Sequence, residues 1–170
     1  MRIADTILPE WDQEMASTRR VVERVPDEKL DWRPHPRSWT VRELATHLVM
    51  VPSWTAVTIG QDSIDLAAPG HAETEVKPAA SRVELLERLD RFAAEGREAV
   101  ADASDERLLA PWTLLKGGTP VLTMPRTAVL RGFVLSHSIH HRAQLGVYLR
   151  LLDVPVPAIY GPSADEGAFQ

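Results

Sequence analysis

The stretch PRTAVLRGFVLSHSIHHRAQLGVYLRLL, residues 125–152, carries the strongest helix pattern of this chain. Pro125 suits the first turn of a helix, and no proline follows inside the stretch. One stripe at helical spacing collects Leu130, Val134, His137, His141, Leu145, Tyr148 and Leu152. Such a stripe faces a core, where an imidazole is costly unless something binds its nitrogens. The pair formed by His137 and His141 therefore needs a partner.

A second helix pattern, over residues 41–55, carries His47 in the same kind of position. Thr40 followed by Glu43 is a capping-box pattern, so the helix should begin there. Its apolar face collects Val41, Leu44, His47, Leu48, Val51, Trp54 and Thr55. Pro52 interrupts this face and should kink the helix or end it early, because proline cannot donate the helical hydrogen bond.

The rest of the chain completes an all-α pattern. Two further helices are predicted over residues 3–25 and 81–102, and a polar linker over residues 60–80. Lys116-Gly117-Gly118-Thr119 lies between short apolar runs and predicts a small hairpin before the last helix. The tail from residue 153 holds three prolines and two glycines and should be irregular. These patterns predict one domain, residues 1–170, with the fold of a four-helix bundle with long crossover loops.

Composition excludes several classes of function. The 170 residues carry a net charge of -5 without a basic block, which argues against a nucleic-acid partner. No run approaches the ~20 apolar residues that span a bilayer, and Met1 to Pro9 lack the apolar segment of a signal peptide. We therefore expect a cytoplasmic protein. The chain has no cysteine, so imidazole, carboxylate or water must hold any metal.

The histidines on the apolar stripes predict a metal site. An H-x3-H pair places two imidazoles on adjacent turns of one face, with their Cβ atoms ~6 Å apart. That spacing suits a divalent metal with metal–nitrogen distances of about 2.0–2.1 Å. We predict that His47, His137 and His141 bind one metal ion and leave one or more coordination positions open. The competing interpretation is three buried neutral histidines that hydrogen-bond to backbone or water.

Three other histidines and one arginine have simpler interpretations. His140 lies ~100° around the helix from its neighbour in the pair and cannot easily share the metal. His35 and His71 fall in predicted loops. Arg142 points off the stripe, which favours a salt bridge at the edge of the bundle.

No catalytic residue can be assigned from the sequence. Glu43 could orient His47 or act as a base, but the helix cap explains it better. Gln144 and Tyr148 could line the pocket, although core packing and solvation explain them equally well. Trp54 reads as a core residue rather than a substrate platform. The zincin motif is absent, because no glutamate follows the first histidine of the pair.

Several of these segments also resemble one family. They are DWRP (31–34), SWT (38–40), ELATHL (43–48), HSIHHRAQL (137–145), YLR (148–150) and VPAIYG (156–161). In this order they resemble the second-helix, fourth-helix and tail signatures of the DinB/YfiT-like superfamily. The resemblance implies a four-helix bundle in up-down-down-up order. It also implies a divalent metal, commonly nickel or zinc, at His47, His137 and His141.

The same resemblance implies a range of functions. Relatives are often dimers, and some are thiol-dependent transferases or isomerases that use a low-molecular-weight thiol such as bacillithiol or mycothiol. Others have no established activity. We therefore carry two hypotheses: a metal-dependent enzyme of the S-transferase or hydrolase type that acts on a small molecule, and a non-catalytic dimerising helical module whose metal is structural or absent.

Overall fold

The computed structural model describes residues 1–68 and 77–167, and most of these residues are helical. Residues 126–151 form one continuous helical segment, in which the π-helical stretch Leu130–Leu135 joins the two α-helices Arg126–Val129 and Ser136–Leu151. The helices are α1 (Ile3–Val22), α2 (Val41–Met50), α3 (Trp54–Gly60), α4 (Arg82–Asp102), α5 (Asp105–Leu109), α6 (Arg126–Val129) and α7 (Ser136–Leu151).

The four longest helices enclose the main core. Helices α1 and α2 each pack against both α4 and α7. One face of α1 is buried, including the indole of Trp11. That indole lies over Gly96 of α4, where an added Cβ would stand 2.6 Å from the ring, and its Nε1 donates to the carbonyl of Ala93 at 3.2 Å. Glycine at this position lets α1 approach α4 closely.

The prediction of an all-α fold is wrong. A three-stranded mixed sheet lies beside the helices, with its strands in the order β1 (Ser63–Asp65), β2 (Pro111–Lys116) and β3 (Thr119–Pro125). Strand β1 is parallel to β2, and β2 is antiparallel to β3. The described part of the chain is therefore α-rich with a small sheet, rather than a pure four-helix bundle.

The hairpin between β2 and β3 is present where the sequence predicts it. Lys116 pairs with Thr119, and Gly117 and Gly118 have φ of 59° and 76°. Two consecutive positive φ angles fit the tight turn that matches the twist of a hairpin, and glycine adopts them without strain.

Strand β1 was missed because it lies within the predicted linker, residues 60–80. Its three residues are too few to show an alternating pattern. The strand is held instead by contacts distant in sequence, since the carboxylate of Asp65 accepts from the backbone N–H groups of Gly117 and Gly118 at 2.8 and 2.7 Å. His71, which the sequence places in the same linker, lies outside the described residues.

Pro52 ends the second helix, as predicted. Helix α2 stops at Met50, a single 3-10 turn covers Val51–Ser53, and α3 begins at Trp54. The capping box at the start of α2 is also confirmed, because the Thr40 side chain accepts from the N–H of Glu43. One predicted helix pattern thus becomes two helices.

A buried arginine, whose role the sequence did not reveal, links the sheet to the helical segment 126–151. The guanidinium of Arg126 is fully buried and forms an ion pair with the carboxylate of Asp62 at 2.6 Å. It also donates to the backbone carbonyls of Thr58, Gln61, Ala110 and Pro111. These bonds satisfy the donors of a charged group that would otherwise be very unfavourable in the core.

The tail is irregular as predicted, and it is anchored by polar contacts. Glu166 bridges Arg20 and Arg24 of α1 at 2.5 and 2.7 Å. The Tyr160 hydroxyl reaches the buried pair of Glu14 and Arg142, whose side chains are 2.7 Å apart. The salt bridge predicted for Arg142 exists, but it is buried rather than at an edge.

Within residues 1–68 and 77–167, no helix is long and apolar enough to cross a membrane.

Candidate metal centre

Three imidazoles meet between α2 and α7. His47 comes from α2, while His137 and His141 come from successive turns of α7. The Nε2 atom of His137 lies 3.1 Å from that of His47 and 2.7 Å from that of His141. All three ligand atoms lie within 4.8 Å of one another. The structure thus brings together the three histidines that the sequence singles out.

These distances fit a shared cation. Nitrogens bound about 2.0–2.1 Å from one ion lie about 2.8–3.0 Å from each other in octahedral geometry and about 3.3–3.4 Å in tetrahedral geometry. The observed separations of 3.1 and 2.7 Å from Nε2 of His137 lie close to these values. The donor set also suits nickel or zinc, because imidazole is a preferred ligand of both ions.

Gln144 orients the ring of His141. The amide oxygen of Gln144 lies 2.8 Å from Nδ1 of His141, and this oxygen can only accept. Nδ1 therefore carries the proton, and the lone pair of Nε2 points to the centre of the cluster. A hydrogen bond of this kind on the second nitrogen is typical of histidines that bind metals.

The alternative of a purely hydrogen-bonded trio is harder to satisfy. At 2.7 Å, at most one of the Nε2 atoms of His137 and His141 carries a proton. The tautomer of His141 makes its Nε2 the acceptor and His137 the donor. An Nε2 of His137 that donates there has no lone pair left for His47, 3.1 Å away. A cation satisfies all three lone pairs together.

The environment keeps the site neutral. Burial first, and then the neighbouring rings of His141 and His137, lower the pKa of His47 from its usual 6.5 to about 4. Burial also lowers the pKa of His141, against the opposing effect of the hydrogen bond to Gln144. Unprotonated rings are the form that binds a metal.

These pKa values predict an acid-sensitive stability for the metal-free protein. A histidine with a lowered pKa in the folded state stabilises that state above its unfolded pKa of about 6.5, and the effect is lost as pH falls towards 4. We expect the free energy of unfolding to drop by about 1–2 kcal/mol between pH 7 and pH 4.5 from His47 alone, after allowance for its half-exposed ring.

Urea unfolding of the metal-free protein at both pH values measures this drop. His47→Gln, which cannot titrate, is the matched control and should show a smaller pH dependence. An equal pH dependence in the two proteins would contradict the interpretation.

Two indole rings surround the histidine cluster. Trp39 stacks on His141 at 5.6 Å between ring centroids and contacts His47 at 5.0 Å. Trp54 contacts His47 at 5.8 Å and His137 at 5.3 Å. The sequence placed Trp54 on the same face as His47 as a core residue; it packs against the core and also contacts two of the histidines. Trp39 was missed because it precedes the helix and belongs to no apolar stripe.

Glu43 belongs to the capping box of α2. Its carboxylate accepts from the backbone N–H and the hydroxyl of Thr40 at 2.7 and 2.8 Å. These hydrogen bonds lower its pKa. The capping interpretation is therefore confirmed.

The other described histidines lie outside the cluster. His140 is exposed and contacts the ring of His141 at 4.8 Å, but it is not among the three converging ligands. His35 lies in the loop before α2, where its Nδ1 accepts from the N–H of Arg37.

Comparison with known proteins places the chain among similar sequences and folds. The family model described as "DinB family" matches residues 1–170. The uncharacterised protein YrdA of Bacillus subtilis (strain 168) is 27% identical over 168 residues, covering 96% of this chain and 92% of that protein.

Two solved structures share the fold. A DinB-like protein from Bacillus cereus ATCC 10987 aligns with a TM-score of 0.71 at 23% identity, covering 90% of this chain and 95% of that one. A DinB-like protein from Bacillus subtilis, YjoA, aligns with a TM-score of 0.67 at 16% identity, covering 89% and 96%.

Proposed function

This chain belongs to the DinB family, and on that premise we propose that it binds a divalent metal through His47, His137 and His141 and uses the ion in catalysis. The proposed reaction is of the S-transferase or hydrolase type, on a small molecule. A low-molecular-weight thiol is the proposed co-substrate of the transferase, and nickel or zinc is the proposed ion. The proposal also includes a homodimer.

The convergence of three Nε2 atoms is the observation that carries the proposal. Structural zinc sites usually have four protein ligands, whereas catalytic sites keep a position open for water or substrate. The three histidines form the cluster with no fourth histidine or acidic residue among the described part of the chain. An ion held here would thus retain open positions.

The chemistry follows from the neutral ligands. A divalent ion bound by uncharged imidazoles keeps its positive charge, acts as a Lewis acid and lowers the pKa of a coordinated water or thiol. The chain itself contributes the lowered histidine pKa values, which keep the ligands unprotonated at neutral pH. Gln144 fixes one ligand tautomer, and the two indoles limit the access of water to the rings.

Metal analysis coupled to an activity assay tests the proposal. The protein is purified without a nickel column, its metal content is measured, and thiol transfer to a reporter electrophile such as chlorodinitrobenzene is followed with and without chelator. We expect about one ion per chain and turnover that chelation abolishes and added metal restores. Stoichiometric metal without thiol-dependent or hydrolytic turnover would favour the non-catalytic module. A protein that binds no metal and gains no thermal stability from added nickel or zinc would contradict the site itself.

A further inference from the structure

The two indoles at the histidine cluster differ in exposure. Trp54 is partly buried between the histidines and the interior, whereas Trp39 is 46% exposed. The ring of Trp39 is inclined by only 24° to that of His141, so the two rings are stacked. Trp39 therefore contacts the candidate metal ligands on one side and leaves much of its surface to solvent. It forms the apolar wall on the exposed side of the cluster.

The position of Trp39 is fixed by its neighbours. The hydroxyl of Tyr148, on α7, donates to the backbone carbonyl of Trp39 at 3.2 Å. Tyr148 is itself packed edge-on against Trp32, with 5.7 Å between the ring centroids. On the other side, Thr40 begins the capping box of α2. Because both flanks are held, the indole offers a preorganised surface.

Two polar side chains close to the cluster in sequence, Glu43 and Gln144, are already engaged. The carboxylate of Glu43 is bound by Thr40 and lies 4.0 Å from the guanidinium of Arg33. The amide oxygen of Gln144 accepts from His141. A ligand that reaches the cluster from solvent on the side of Trp39 therefore meets an aromatic surface. Aromatic groups pair well at ring-centroid distances of 4.5–7 Å.

We infer that Trp39 determines ligand specificity at this site and selects organic ligands that carry an aromatic group close to their donor atom. The donor atom binds the cation, and the attached ring packs on the indole. Trp39 lies only 5.0 and 5.6 Å from the rings of two candidate metal ligands, so one or two bonds suffice to reach it. The inference rests on the proposed function, because the donor atom needs a metal ion.

The test uses two thiols with the same donor group, benzyl mercaptan and ethanethiol. Each is titrated at fixed pH into the cobalt-loaded protein, and binding is read from the sulfur-to-cobalt charge-transfer absorption. Each thiol releases its S–H proton to the buffer as it binds. We expect the wild-type preference for benzyl mercaptan to fall by roughly threefold to tenfold in Trp39→Leu, which keeps an apolar side chain but removes the aromatic face.

Two controls separate the possible failures. Cobalt affinity is measured first and should be equal in wild type and Trp39→Leu. Phe133→Leu removes an exposed aromatic ring that makes no ring contact with the cluster in the described part of the chain, and its thiol preference should match wild type. Equal cobalt binding with an unchanged preference would overturn the role of Trp39 alone. A wild-type protein that binds no cobalt would overturn the metal site and the inference together.

Discussion

We expect His141→Ala to lose roughly a hundredfold to a thousandfold in affinity for zinc or nickel. His141 supplies one of three converging nitrogens and is the most buried of them, at 9% exposure. A four-ligand zinc site is worth about 10–16 kcal/mol, so one ligand contributes about 2.5–4 kcal/mol, which corresponds to a loss of that order in affinity. Competition titration of the purified variant against a chromophoric chelator measures the loss.

His140→Ala is the matched control for this experiment. It removes an exposed imidazole that is adjacent in sequence but lies outside the cluster of ligands. Its metal affinity should stay within about threefold of wild type, since the effect of an outer residue is smaller than that of a ligand. If His141→Ala and His140→Ala both kept the wild-type metal affinity, neither ring would bind the ion, and the site would have to be assigned elsewhere.

The second large effect should come from the buried pair of Glu14 and Arg142. The side chains of Glu14 and Arg142 are 6% and 4% exposed, and the guanidinium also donates to the carbonyl of Glu14 and to the hydroxyl of Thr18. Glu14→Gln removes one charge and leaves the other buried without compensation. We expect the free energy of unfolding to fall by about 3–5 kcal/mol, as measured by urea denaturation.

Asp12→Asn is the control, because it breaks an ion pair on the same helix that is exposed. Asp12 and Arg97 are 2.8 Å apart, yet both side chains are about half exposed. The loss there should stay below about 1 kcal/mol. The double variant Glu14→Leu/Arg142→Met should recover much of the loss, since it replaces both charges by apolar groups. If Glu14→Gln cost no more than Asp12→Asn, the pair would not be the buried anchor described above.

The main helices and the face shared by His137 and His141 could be predicted because the information for them is local. Thr40 and Glu43 lie three residues apart and cap one helix, and Pro52 ends that helix by a property of its own backbone. His137 and His141 are joined by one turn, so their common face follows from the helical period. Only the meeting with His47, on another helix, needed the assumption that apolar stripes face one core.

The missed features depend on contacts between distant residues. Strand β1 is three residues long and is held by the partners that Asp65 finds in the hairpin turn. The burial of Arg126 depends on carbonyl groups from two other parts of the chain. Nothing in the local sequence of either residue reveals these partners, so the prediction of an all-α fold could not be corrected from sequence alone.

Of the two residues beside the histidines, Gln144 depends on local helix spacing, whereas Trp39 depends on contacts between distant residues. Gln144 stands three residues after His141, on the neighbouring turn, so helix spacing allows the hydrogen bond that the structure contains. Trp39 precedes the helix cap, where no periodicity applies, and its contact with two histidines depends on the path of the loop. Spacing thus identified the three clustered histidines, whereas the position of Trp39 beside them depends on the fold.

An anomalous-scattering experiment on crystals of the full chain tests the central claim most directly. The protein is purified without a nickel column, loaded with one equivalent of zinc, and measured on both sides of the zinc absorption edge. We predict one strong anomalous peak about 2.0–2.1 Å from the Nε2 atoms of His47, His137 and His141. A zinc peak at another position, or Nε2 atoms that stay hydrogen-bonded to one another in the loaded crystal, would contradict the account.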